Sequence, residues 1–512
     1  MARSLVPLHC TALDPGPARG GRTARQRDAI AGAIAFSSAG LPCFAESSDA
    51  VAQIVTSAQA AQARGGRRDR PLHASCRRMA GIAHRCFRRD RALRRLTAIS
   101  NVAASHPGRL RDNQRSHGYR RATDDVAVLP RRAAAMTAIE SAVIAGGGIS
   151  GLAMSCLLAA EGVKVDLLEA YRTSAPVGSG ISLQGNALRM LDRVGVWEEV
   201  QRHASVFDAL VLRAPDDTGT ELFRVDTHRS GGPEYPAAAG MYRPDLARVL
   251  RTRADELGVA VHEGTRVVAI SQDDDHARVT AASGLTREAD LVVGADGLHS
   301  TVRSLLKIRT RPEMLDFGVW RAFVPLARGV TCTELIYGGA AYYSGYSPTG
   351  PDTMYVYIVD DYRDRSHLST EEMLEEMRAL ASQYHGPWDE IVTTLTSASA
   401  LNYTRMSALF LPGDWHRGRV ALIGDAAHSC PPTLAQGAAQ GLEDAVVLAD
   451  LLASRDRLDE DLWDEFYARR VPRAQAVVES SLQIAEWRRE ADKNRESAEL
   501  MTDVSKLLAQ PL

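Results

Sequence analysis

The chain has 512 residues, 45% hydrophobic and 24% charged, the make-up of a globular protein of several domains; it excludes a largely disordered or collagen-like chain. No apolar run reaches the roughly 18 residues a membrane-spanning helix needs, and seven cysteines without a Cys-x-x-Cys pair exclude a disulfide scaffold or zinc finger and lead us to expect a reducing, cytoplasmic setting. The net charge of −2 conceals a split: residues 1–135 hold 24 Arg, no Lys and nine acidic residues, net +15, while the rest carries −17.

Residues 1–135 are rich in Ala and Arg and offer one apolar patch, Ala29 to Phe44. Clusters such as Arg64-Gly65-Gly66-Arg67-Arg68 are poor core material, so this extension is expected to be disordered rather than a folded domain. The leading reading is an over-extended start, with initiation at Met136, where the composition changes abruptly. A targeting segment, a basic nucleic-acid arm and an unrecognised domain are the others. Few aromatics interleave with the arginines, so base stacking has little support and no nucleic-acid partner is expected.

From Thr137 the pattern is that of packed elements. Ser141 to Ala145 reads as a buried strand, Gly146-Gly147-Gly148 as a turn, Ile149 to Ala160 as a helix, and Lys164 to Leu168 as a second strand ending at Glu169. This is one βαβ unit. Ala289 to Ala295 and Arg419 to Gly424 are further strand-like runs, each ending in a Gly/Asp turn. Between them, Asp316 to Asp360 is β-rich and aromatic. Gly437 to Leu452 carries the helical stripe Leu442, Ala445, Val446, Ala449. Leu462 to Leu512 reads as mostly helical, with Pro472 expected to kink or start a helix.

Three motifs carry chemistry. In Gly146-x-Gly148-x-x-Gly151 the glycines permit a tight turn, close approach of backbone to a pyrophosphate, and close helix–strand packing. Glu169, 18 residues after Gly151, suits a ribose hydroxyl. The motif points to an adenine dinucleotide without distinguishing NAD from FAD. The second motif, Asp296-Gly297-x-x-Ser300-x-x-Arg303, follows a strand and opens a helix. The third, Gly424-Asp425-Ala426-Ala427-His428-Ser429-Cys430-Pro431-Pro432, leads through Gln436 to Gly437. A carboxylate at a strand end can hold a sugar or ribityl hydroxyl, and a helix N-terminus can stabilise negative charge.

In this order and spacing the motifs resemble the class A FAD-dependent monooxygenases, the p-hydroxybenzoate hydroxylase-like family, from about residue 139 to 490. The resemblance implies an α/β (α+β) fold: a Rossmann-type FAD-binding domain over residues 136–490, interleaved with a β-sheet substrate domain inserted at about 310–410, a C-terminal helical region, and a tail at 491–512. It implies that Gly146, Gly148 and Gly151 hold the FAD pyrophosphate and Glu169 the adenosine ribose. Ser182 falls on a loop near the flavin, Arg243 on a basic FAD contact, and Val267 on a strand whose backbone meets the adenine. Asp296 would link FAD to transient NADH or NADPH binding, Asp425 would hold the ribityl chain, and Gly437, Ala438 and Ala439 would face the pyrimidine edge. The implied activity is hydroxylation of a small electron-rich aromatic (a phenol, a hydroxybenzoate-like acid or an N-heteroaromatic) with NAD(P)H and O2, through a flavin C4a-hydroperoxide.

For the substrate side the candidates are Trp320, Arg321, the tyrosines in Tyr337–Tyr357, foremost Tyr355 and Tyr357, and Pro432. Tyr355 and Tyr357 alternate with Met354, Val356 and Ile358, so both point to one face of a strand. They could bind or deprotonate a phenol, or simply pack a sheet. Arg321 could pair a carboxylate or make a structural ion pair. His428 reads as structural and Cys430 as a small buried hydrophobe. Neither a metal site nor a membrane partner is expected, and a homodimer follows by resemblance. Alternatives are an epoxidase or halogenase of the same fold, although no Trp-x-Trp-x-Ile-Pro segment is present, a plain dehydrogenase, or a non-catalytic flavin-binding protein.

Overall fold

The computed structural model describes residues 137–172, 180–490 and 494–512. The arginine-rich extension 1–135 lies outside the described residues. A six-stranded sheet runs in the order His416–Arg417, Val420–Leu422, Leu291–Gly294, Ser141–Ala145, Lys164–Leu168 and Ala260–His262. Its central pairings are parallel: Ser141–Ala145 lies between Leu291–Gly294 and Lys164–Leu168. Parallel strands are covered on both faces, which is why these segments read as continuous apolar runs rather than alternating ones. The covering helices include Ile149–Ala160, Arg243–Glu256 and Gly437–Ala453. The last is buried on nearly every side, beyond the single stripe visible in its sequence.

The second layer is an eight-stranded sheet in the order His428–Ser429, Asn402–Phe410, Glu313–Pro325, Thr353–Asp361, Tyr343–Pro348, Thr333–Tyr337, Ala209–Arg213 and Glu221–Asp226. The sequence placed this sheet at about 310–410. The structure adds two strands from far upstream, since Ala209–Arg213 pairs in parallel with Thr333–Tyr337. One face packs on the helices Thr370–Ala381 and Pro387–Thr394, with Trp320, Tyr346 and Trp388 in that core. Two small antiparallel sheets complete the fold: Thr286–Ala289, Ala277–Ala281 and Val267–Gln272, and Gly180–Gln184, Ala238–Tyr242 and Ser205–Phe207.

The helix Glu460–Trp487 runs unbroken through Pro472. Its start is fixed by Asp459, whose side chain accepts from the Leu462 amide at 3.1 Å. The segment expected as a tail contains the helix Asn494–Ala509, which buries Val504 and Leu508 against Leu434, Val477 and Ile484. Among the described residues no helix is long and apolar enough to cross a membrane, and no group of His, Cys, Asp and Glu side chains could hold a metal ion.

Candidate active site

The three motifs meet at one cavity of about 710 Å³. The first strand ends at Ala145 and is followed by Gly146, whose φ of +110° is strained for any other residue; a Cβ there would lie 2.4 Å from the Ala295 carbonyl oxygen. A Cβ on Gly151 would lie 2.0 Å from the Gly146 carbonyl oxygen. These two glycines therefore serve packing. Gly148 differs, because nothing lies within 4 Å of its Cβ position and it lines the cavity. It is also the N-cap of Ile149–Ala160 and has no side chain to satisfy the first amides. That open end of the helix is a site for an anion. Glu169 holds the turn through its carboxylate, which accepts from the Gly147 amide at 2.7 Å and the Tyr171 amide at 2.9 Å.

In the second motif Asp296 is engaged within its own turn. Its carboxylate accepts from the Thr301 amide at 2.7 Å, the Val302 amide at 3.0 Å and the Ser300 hydroxyl, while the adjacent Gly297 lines the cavity. Arg303 is buried and donates to the carbonyls of Leu298 at 2.7 Å and Ala426 at 2.9 Å. It thus ties the second motif to the third, a connection that spacing alone does not disclose. Asp425 lines the cavity with its side chain open to it; the surrounding protein disfavours its charge and pushes its carboxyl up from the usual carboxylate range, against the pull of His428 and Arg243. Arg243 lines the same wall at the start of its helix, as do Gly437 and Ala438 at theirs. Ala439 is buried one position further in. Ser182 lines the cavity from the strand Gly180–Gln184, not from a loop. Val267, the buried first residue of its strand, does not line it.

Open backbone at Gly148 and Gly437, two helix N-termini and the Arg243 guanidinium make a long cradle with positive ends. The residues present fit a dinucleotide.

The opposite wall is the eight-stranded sheet. Arg321, Tyr355 and Tyr357 line the cavity, and Pro432 enters from the third motif. In register, Arg321 lies opposite Tyr357. Trp320 does not join them. It is 1% exposed, its indole donates to Asp360 at 3.4 Å, and Arg365 and Tyr403 cover its ring at 4.5 and 4.6 Å. Consecutive strand residues face opposite ways, so Trp320 and Arg321 cannot both look into the site.

The Tyr355 and Tyr357 rings are 5.2 Å apart. Burial, and then the neighbouring Tyr355, Tyr343 and Tyr337 phenols, push the Tyr357 phenol well above its ordinary range. Tyr357 is therefore a donor at neutral pH, not the base that could deprotonate a substrate. Its hydroxyl rests over Gly345, where a Cβ would come within 2.5 Å of it. Arg321 donates to Thr404. Among the described residues no carboxylate lies within ion-pair distance of Arg321, and Asp425 is the only carboxylate lining the cavity. Cys430 also lines the wall, its thiol pushed up to about 12 by burial, which makes it inert.

Tyr337 and Tyr343, among the tyrosines the sequence offered as candidates, line the same wall. Two further lining residues come from the C-terminal region, where the sequence offered no substrate-side candidate. Arg488 stands 3.9 Å over the Tyr337 ring, and Met501 comes from the C-terminal helix.

Comparison with known proteins gives the same frame. The FAD binding domain family matches residues 140–481. A Bacillus subtilis protein classed as an FAD-dependent monooxygenase, YetM, is 30% identical over 69% of this chain and 95% of its own length. The 3-amino-4-hydroxybenzoate 2-monooxygenase PtnB3 of Streptomyces platensis is 32% identical over 65% of this chain and 85% of its own. The structure of Pseudomonas aeruginosa PqsL in complex with 2-aminobenzoylacetate is 25% identical, covers 71% of this chain and 99% of its own, and superposes with a TM-score of 0.61. The chain belongs to the FAD binding domain family, and within it to the class A FAD-dependent aromatic monooxygenases.

Proposed function

We propose that this protein hydroxylates a small, electron-rich aromatic, using NADH or NADPH and O2. The observation that carries this is the joint wall of the cavity: three nucleotide-binding turns on one side, and Arg321, Tyr355 and Tyr357 on the other. When bound, FAD would supply the hard chemistry, taking reducing equivalents from the nicotinamide and passing an oxygen atom from O2 to the ring.

The chain's own residues would do the rest. Gly148 and the amides of Ile149–Ala160 would hold the pyrophosphate, with Arg243 as a cationic contact. Asp425 would accept from the ribityl chain, and Gly437 with Ala438 would present backbone to the ring edge. On the substrate side Arg321 would orient an acidic group, a carboxylate or ionised hydroxyl, by charge-assisted hydrogen bonds. Tyr355 and Tyr357 would donate to ring oxygens, and Pro432 would fix the plane between ring and cofactor. The sheet and the C-terminal helix would limit the access of bulk water to the reacting ring.

The test is a visible spectrum of the purified protein, followed by NADH and NADPH oxidation against hydroxylated aromatic acids, phenols and N-heteroaromatics, with hydrogen peroxide scored. Bound flavin, substrate-stimulated oxidation and little peroxide are expected. A folded protein without flavin would overturn the reading.

A further inference from the structure

Behind the third motif lies a charge network with no part in the chemistry above. Glu443 and Asp444, on Gly437–Ala453, are fully buried, as is Arg470 on Glu460–Trp487; Arg473 beside it is 6% exposed. Arg470 donates to Glu443 at 2.5 Å and to Asp444 at 2.7 Å. Arg473 and Asn186 donate to Glu443 at 3.1 and 2.9 Å. The second oxygen of Asp444 accepts from the Gly424 amide at 2.8 Å and lies 2.6 Å from the His428 ring nitrogen. Burial alone would push both carboxyls up; the cations facing them hold both below their ordinary range.

Burying ions costs desolvation that their attraction barely offsets, and packed apolar residues of similar volume hold a fold as firmly. Four buried charges need a reason other than stability. Gly424 and His428 bracket Asp425, the carboxylate that faces the cavity. Gly424 has φ +59°, and Ser150 Oγ would lie 2.6 Å from a Cβ on Gly424 and 2.1 Å from one on Gly441. The third motif, the first helix and the Gly437 helix therefore touch at one point, and Asp444 grips the motif from behind.

We propose that Asp444, held by Arg470, is a positioning residue for the flavin, fixing the Gly424–His428 turn so that Asp425 meets the ribityl chain. The proposal rests on FAD occupying the cavity. Asn186 and Gln436 extend the same lattice: Gln436, one residue before Gly437, exchanges hydrogen bonds with Asn186 at 3.0 and 3.1 Å. The helix N-terminus and the turn are thus set by one array of polar contacts.

The test compares the native protein with Asp444→Asn and with the paired apolar variant Asp444→Leu/Arg470→Met, in which Glu443 keeps Arg473 and Asn186. FAD affinity is read by quenching of flavin fluorescence, the environment by the visible band and the flavin midpoint potential, and folding by circular dichroism of the apoprotein. The expected result is a folded paired variant with FAD affinity at least tenfold weaker and an altered visible band. A folded variant, paired or single, that binds FAD within twofold of native with an unchanged band and potential overturns the proposal. A paired variant that does not fold also overturns it, because the network would then belong to the fold rather than to the flavin site. Native protein that binds no FAD would instead refute the functional reading on which this rests.

Discussion

Arg303 of the second motif donates to the carbonyl oxygen of Ala426 in the third, at 2.9 Å. The contact joins two loops that share a cofactor wall but lie far apart in sequence. Replacing Arg303 with Met leaves the Ala426 and Leu298 carbonyls without this donor in a buried place, at about 2 kcal/mol or more. We expect a thermal midpoint lower by several degrees and weaker FAD retention, measured by calorimetry and by flavin release on dilution.

The glycines of the first motif should separate by role. At Gly148 the Cβ position is open, so Gly148→Ala should fold normally but obstruct the pyrophosphate and weaken FAD binding. At Gly151 a Cβ would meet the Gly146 carbonyl oxygen at 2.0 Å, so Gly151→Ala should lower the stability of the apoprotein as well. Circular dichroism melts with and without FAD distinguish the two. Equal melts for both apoproteins would contradict the assignment.

Arg321→Met should raise KM for acidic aromatics roughly ten- to a hundredfold, the worth of a charged hydrogen bond. Uncharged phenols should be affected much less, and the flavin spectrum should stay native. Steady-state kinetics on a matched acid and amide of one ring system gives the comparison.

On the proposed reading Tyr357 is a protonated donor to the substrate, so Tyr357→Phe should cost roughly tenfold in kcat/KM without moving the pH profile between 6 and 9. Tyr355→Phe tests the other member of the pair, and unchanged hydroxylation in both would remove the tyrosines from the substrate side. Gly345→Ala should mimic Tyr357→Phe, because the added Cβ displaces the phenol from its seat.

The Asp444 carboxyl is held at about 2, below its ordinary 3.8. A depressed native value means that the unfolded chain takes up the proton first, so the contribution is complete above pH 3.8 and fades as pH falls through the native value. Urea midpoints at pH 7, 5 and 3 should show a steep drop only in the last step. The drop should be shallower in Asp444→Leu/Arg470→Met.

The nucleotide-binding half was legible because its signals are contiguous. One strand, three glycines, one helix and Glu169 sit within one stretch, and Ile149–Ala160 was bounded to the residue. The substrate half was less so. Its outer strand Ala209–Arg213 pairs with Thr333–Tyr337 across more than a hundred positions, which no local pattern encodes, and carries Glu221–Asp226 with it as a local hairpin. Arg488, just past the end of Glu460–Trp487, and Met501, on Asn494–Ala509, reach the cavity from a region whose sequence shows only an amphipathic pattern. Trp320 is a different case: strand alternation was readable, and choosing it beside Arg321 overlooked that rule. His428 read as structural, and its partner Asp444 was hidden inside an apolar-looking helix.

The parallel pairing of Ala209–Arg213 with Thr333–Tyr337 also bears on how the protein unfolds and diversifies. The chain leaves the nucleotide-binding sheet after Lys164–Leu168, contributes strands to the other sheet, returns for Ala260–His262 and Leu291–Gly294, departs again, and returns once more at His416–Arg417. No single cut liberates either sheet intact. The two layers are therefore expected to melt together in one calorimetric transition, and a change of substrate within this architecture is expected to proceed by point replacement along the shared wall rather than by exchange of a detachable module.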